Sequence, residues 1–235
     1  MTRSQPLKSA SPSRGVLARP LEALVFLLPL IGVYEWASMR SHDRVIAFDL
    51  LRGFVELFGR AGSWAPGLIV VVILLMMHVA SGESWSIRWR RVCIMYVEAV
   101  VLSVPLLALN WSMPLTATSA VAPGLFDRMA VGIGAGIYEE MVFRLVLISV
   151  IVMLGVDVLR MDRTVVAVVA VCGSSLAFAA HHHSPIGSEP FNVVRFAFRS
   201  VAGAYLALVF WFRGYGSAAG AHATYNVVIA AISGR

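Results

Sequence analysis

The chain of 235 residues is 59% apolar and 14% charged, against roughly 45–50% and about 25% in soluble globular domains, and its mean hydropathy is +0.79. That balance excludes a water-soluble fold and leaves enough apolar sequence for about six or seven spans of ~20 residues. The formal net charge of +6 does not point to nucleic acid, because the basic residues flank apolar runs and form no stripe with interleaved aromatics.

Residues 1–19 (MTRSQPLKSASPSRGVLAR) combine Ser, Pro and four basic side chains. With so little apolar surface such a segment cannot offset its ordering entropy, so a disordered basic tail is predicted. The run from Leu21 to Ala37 carries Pro29, Glu35 and Trp36 where a signal peptide would need a small-residue cleavage site, which makes it an uncleaved first span. Val45–Arg60 alternates apolar and charged residues at helical spacing and predicts a helix lying in the membrane interface. Further apolar runs at 65–82, 92–110, 125–155, 163–181, 200–213 and 216–232 complete the set. The predicted fold is all-α: a polytopic membrane bundle of about seven transmembrane helices with one or two interfacial helices.

Basic loops stay cytoplasmic. An inside N-terminus puts ten Lys and Arg on that side (Arg3, Lys8, Arg14 and Arg19, three at 88–91, two at 160–163, and Arg213) against five on the other, so a cytoplasmic N-terminus is predicted, in a cell inner or plasma membrane. Cys93 and Cys172 both sit in apolar runs and indicate neither a disulfide framework nor a cysteine metal site.

The fourth run reads GIGAGIYEEMVFRLVLISV, with Glu139, Glu140 and Arg144 inside apolar sequence. Each charge near a membrane centre costs ~2.5–3.5 kcal/mol, so a compensating arrangement is required. Glu140 and Arg144 are four apart and share a helical face, whereas Glu139 is turned ~100° away and is left for other work. A buried ion pair that ties helices together is the structural alternative. Two later helices carry further polar stations: Phe178 with His182 in LAFAAHHHSPIG, and His222 with Asn226 in AAGAHATYNVVIA. His222 and Asn226 project from one face and can present two donors to one point, as an oxyanion site needs; hydrogen bonds that glue helices are the alternative.

His181, His182 and His183 are consecutive, so they point ~100° apart on a helix and are not expected to chelate one ion. No HExxH occurs. A zinc site from Glu139, His182 and His222 stays open, since one carboxylate and two imidazoles form an acceptable ligand set. Gly132, Gly134 and Gly136 follow no strand and are not a nucleotide loop; Gly132 with Gly136 is small-xxx-small, which lets membrane helices approach closely. Ser174, Ser175 and Cys172 lack a nucleophile setting and are predicted to pack.

Glu139-Glu140-xxx-Arg144, Phe178-xxx-His182 and His222-xxx-Asn226, in that order on successive hydrophobic segments, resemble the three motifs of the CPBP (CAAX protease and bacteriocin-processing, or Abi) family of intramembrane endopeptidases. The resemblance covers roughly residues 125–232. It implies Glu139 as the base that activates water, His182 as its positioning partner, His222 and Asn226 as the oxyanion donors, and Glu140, Arg144 and Phe178 as supports. The family has been described both as zinc-dependent and as using a metal-free glutamate mechanism, and the sequence leaves the two open. Residues 20–120 carry no family signature, and residues 121–235 form the expected catalytic core. The expected function is hydrolysis of a peptide bond in a membrane-associated or lipidated protein. The expected partners are a protein or peptide substrate and the bilayer, with no nucleic acid. A polytopic transporter, or a non-catalytic scaffold or immunity protein, is the competing reading.

The three stations meet only if their depths agree. Reflecting Glu139 about the turn near residue 160 sets it level with about residue 181, next to His182. A sixth helix spanning fully from Pro190 would put His222 about 15 residues, or ~22 Å, from that level. The predicted resolution is that Pro190–Ser200 stays interfacial and helix six is short, with the cavity opening on the side opposite the N-terminus.

Overall fold

The computed structural model describes residues 19–40, 65–112, 124–187 and 189–232. The predicted interfacial helix over Val45–Arg60, and the predicted tail except Arg19, lie outside them. Among the described residues seven helices form: α1 (Pro20–Arg40), α2 (Ala65–Ser81), α3 (Trp89–Ser112), α4 (Leu125–Val158), α5 (Arg163–His181), α6 (Val193–Arg213) and α7 (Tyr215–Ile232). Five of these, α1, α3, α4, α5 and α6, are long and apolar enough to cross a membrane. Helix α2 has 17 residues, and α7, with 18, is rich in Ala and Gly and buried along its first half. No strand occurs among the described residues, only an isolated bridge between His183 and Glu189. The protein is an all-α membrane bundle.

The helices alternate in direction. At one end the starts of α1, α3 and α7 meet, where Ala23 and Met95 close on Gly216 and Arg213 pairs with Glu98. At the other, Trp36 lies edge-on to Phe126 with ring centroids 5.4 Å apart, and Tyr225 donates to Asn110 at 3.2 Å. Small residues let α7 thread between its neighbours, because lipid offers no hydrophobic drive and close packing must supply the attraction. A Cβ on Gly136 would stand 2.5 Å from Ala223 N, and one on Gly132 2.8 Å from Asn226 Cβ. The small-xxx-small pair therefore seats α4 directly on α7.

Helix α4 changes winding at the charged triplet. It is α-helical to Glu140, π-helical over Met141–Ile148, α-helical for one turn (Ser149–Val152) and π-helical again over Met153–Val158. A π segment shifts bonding to i→i+5 and appears mostly at functional sites. Such a shift strands backbone acceptors, and one is met from outside: the buried Ser174 hydroxyl of α5 donates to Phe143 O at 2.7 Å.

The expected short sixth helix is not what forms. Helix α6 runs unbroken from Val193 to Arg213. The Asn192 side chain caps its start by accepting from Arg195 N at 3.0 Å, and no proline interrupts the stretch that follows. Arg195 and Arg199, within the first two turns of α6, are held by Glu189. The depth conflict does not arise, because the 182–192 connection is largely non-helical and Gly203 faces Ser175 and Phe178, one turn from His182.

Candidate active site

Glu139 and Glu140 sit side by side where α4 turns from α to π winding, and the winding sends them to different partners. Glu140 is fully buried and its Oε1 lies 3.0 Å from Arg144 Nη1. Arg144, also fully buried, donates from Nη2 to Gly203 O at 3.1 Å and lays its guanidinium over the Phe178 ring, 4.5 Å from the centroid. A buried cation is tolerated only with such multiple compensation.

Glu139 turns toward two imidazoles. Its Oε1 is 3.6 Å from His182 Nε2 and its Oε2 is 3.8 Å from His222 Nε2. The outer nitrogens of both rings are committed: His182 Nδ1 lies 2.8 Å from Phe178 O, and His222 Nδ1 lies 2.8 Å from Glu140 Oε1. A carbonyl and an ion-paired carboxylate only accept, so both Nδ1 atoms carry the proton and both Nε2 atoms face Glu139. Separations of 3.6 and 3.8 Å are too long for direct hydrogen bonds and suit a small polar group touching all three side chains. The His182 side chain is 22% exposed against 9% for Glu139 and 7% for His222, so access is from the His182 side.

Asn226 lies on the same face of α7 one turn beyond His222 and donates from Nδ2 to Gly132 O at 3.0 Å. One of its two amide protons is thereby used to fix α7 on α4, and one remains. Phe178 is the wall of the site, with its ring 5.0 Å from that of His182 and 5.8 Å from that of His222. The three consecutive histidines diverge as their spacing requires: His181 packs on Phe143, and His183 faces Pro190 O. Ser175 bonds its own helix at Val171 O, and Cys93 and Cys172 are free thiols.

Sequence reasoning passed over Glu189. Its backbone closes the connection after α5, with Glu189 N donating to His182 O at 3.2 Å and Ser184 N to Glu189 O at 2.8 Å. Its carboxylate takes Arg195 at 3.1 Å and Arg199 at 2.7 Å. Burial raises its pKa, and the hydrogen bonds and charge of Arg199 and Arg195 outweigh that and hold it below the ordinary carboxylate range. This clasp fixes the segment that carries His182. A lone Glu between Ser and Pro gives no local cue to such a role.

Among the described residues, no group of three or more His, Cys, Asp and Glu side chains stands in an arrangement that would hold a metal ion. Glu139, His182 and His222 as placed do not form a ready zinc cage.

Fold and site together define a polytopic helical membrane protein with an acid and two imidazoles gathered in its interior. Residues 120–228 match the family model for Rce1-like, type II CAAX prenyl endopeptidases, in agreement with the CPBP resemblance of the motifs. All seven site residues fall inside the match, and α1, α2 and α3 lie outside it. No curated protein and no solved structure matched the chain.

Proposed function

We propose that the chain is an intramembrane endopeptidase that hydrolyses a peptide bond of a membrane-associated or lipidated protein with water activated by Glu139. The observation that carries this reading is the convergence of Glu139 with His182 and His222 at 3.6 and 3.8 Å inside a membrane bundle. The match of residues 120–228 to the Rce1-like family model supports the reaction class.

In this mechanism a water in reach of Glu139 and His182 Nε2 gives a proton to Glu139 while its oxygen attacks the scissile carbonyl. The tetrahedral oxyanion then needs donors in a site shielded from bulk water, where each is worth several kcal/mol. The free amide proton of Asn226 is one. With its Nδ1–H turned to Glu140, His222 donates through Nε2 only when the ring carries a second proton. Once Glu139 holds the water proton, the charges of Glu140, Arg144, the protonated His222 and the oxyanion sum to zero, which limits the cost of charge in a membrane interior. The proton held by Glu139 passes finally to the leaving amine. The oriented Glu140–Arg144 pair sets the ring of His222, and the Glu189 clasp sets that of His182.

Residues 121–235 form the catalytic unit in this account, with the N-terminus cytoplasmic in a cell inner or plasma membrane. The glutamate mechanism requires no cofactor. Purified protein incubated with a membrane-anchored peptide, with and without a chelator, tests both points. Cleavage that persists with chelator supports the glutamate mechanism, and loss of cleavage restored by zinc replaces it with a metal one. A transporter or scaffold would show no cleavage in either arm.

A further inference from the structure

A second polar cavity lies at the far end of the bundle from the 182–192 connection. Its volume is ≈ 200 Å³, and Arg19, Glu22, His78, Ser84, Ser86 and Arg88 line it. It is formed where α1 begins, α2 ends and α3 begins. Glu22 is 4% exposed, yet it is surrounded by three guanidiniums: Arg88 Nε at 2.8 Å, Arg19 Nη1 at 3.3 Å and Arg91 Nε at 3.5 Å. One acid thus anchors three cations; within the lining Arg19 and Arg88 stand against Glu22 and the exposed Glu83, and Arg91, behind Glu22, supplies the excess positive charge. Five N–H donors per guanidinium leave many to spare.

His78 supplies an independent observation. It is 1% exposed, touches the Trp85 ring edge-on at 4.5 Å, and has no hydrogen-bond partner at either ring nitrogen. A buried imidazole on a cavity wall with both nitrogens unpaired calls for a polar occupant. Ser84 and Ser86 share a single hydroxyl hydrogen bond of 2.8 Å, which leaves one hydroxyl proton to donate.

We propose that this cavity binds a phosphate group, held by Arg19 and Arg88 as charged donors and by His78 and the Ser84–Ser86 pair as neutral ones. Planar guanidiniums match phosphate oxygens in geometry as well as charge. The cavity lies at the ends of three apolar helices, with Trp85 and Trp89 exposed beside it, and such aromatics mark the headgroup level of a bilayer. Anionic phospholipid headgroups and free phosphate are the two sources of that chemistry, and basic clusters at this depth attract the former.

The test uses full-length protein in neutral detergent. Thermal unfolding is followed while phosphatidylglycerol, phosphatidylcholine or inorganic phosphate is titrated. A saturable rise in Tm with phosphatidylglycerol and none with phosphatidylcholine is expected, with half-saturation weakened about tenfold or more in both Arg88→Gln and His78→Leu. A rise with inorganic phosphate that further lipid does not exceed assigns the same site to the free ion. His78→Leu puts an apolar side chain in a buried position, so it stays informative if Arg88→Gln does not fold. Wild-type protein that responds to neither phosphate probe, or variants that respond like wild type, overturns the proposal. Glu139→Gln should leave the response intact, which separates this site from the peptidase reading.

Discussion

His222 Nδ1 lies 2.8 Å from Glu140 Oε1, a contact between a ring on α7 and a carboxylate on α4 that is 82 residues away in sequence. The same ring faces Glu139 with its other nitrogen, so two adjacent acids of one helix bracket one imidazole. Glu140 is then a positioning residue and not a second base: paired with Arg144, it holds the His222 ring with Nε2 aimed at the site.

Replacing Glu140 by Gln should therefore lower kcat by about 100-fold or more while KM changes little, as expected when a catalytic group is misplaced by a fraction of its working geometry. Removing the charge also leaves Arg144 buried without its counter-ion, at a cost of about 3–5 kcal/mol. Steady-state kinetics together with thermal unfolding separates the two effects. A rise in KM at constant kcat would contradict the positioning role.

Close helix contact at Gly136 makes its neighbourhood intolerant of volume. A Cβ there would fall 2.5 Å from Ala223 N, whereas at Gly32 nothing lies within 4 Å. Gly136→Val should destabilise by about 1–3 kcal/mol or more, and Gly32→Ala should be neutral or gain about 0.5–1 kcal/mol from helix propensity. Unfolding in detergent by denaturant titration reads both, and equal effects at the two positions would refute the packing argument.

The Ser174 hydroxyl serves the π segment of α4, since it meets Phe143 O where the winding has changed. Ser174→Ala strands a buried carbonyl and should cost about 1–3 kcal/mol. Ser175→Ala, which removes only a bond to its own helix at Val171 O, should cost less. The difference in Tm between the two variants checks this order.

Acid should loosen the clasp over His182. The pKa of Glu189 is depressed in the folded protein, because its bonds to Arg199 and Arg195 outweigh its burial. The folded state therefore binds fewer protons than the unfolded state as pH falls through the ordinary carboxylate range. The contribution of Glu189 is complete above that range and is lost as pH drops through its lower folded value. The Tm of wild type should fall more steeply on acidification than that of Glu189→Gln, and parallel curves would show that the clasp does not contribute.

Much of the site is legible in the sequence because residues four apart share a helical face whatever the helix packs against. This is why Glu140 with Arg144, Phe178 with His182 and His222 with Asn226 are readable as stations, and why Glu139 stands apart from its neighbour. Gly132 and Gly136 announce a close helix contact for a similarly local reason. The π winding is not readable, since it is settled by tertiary partners such as Ser174, whose hydroxyl looks like ordinary packing. The length of α6 is not readable either, because Arg195 and Arg199 gain their counter-ion only from Glu189 in the preceding connection. Such a loop-borne counter-ion has no periodicity to betray it. The cavity beside His78 is likewise assembled from three helix ends, each unremarkable alone.

Glu139 bears the central claim. The direct measurement is the rate at which purified protein, reconstituted in lipid, cleaves a membrane-anchored peptide, compared between wild type and Glu139→Gln with equal Tm. Loss of at least about 10²-fold in the variant, the scale of a positioned general base, is the predicted result. Cleavage by Glu139→Gln at the wild-type rate would contradict the account.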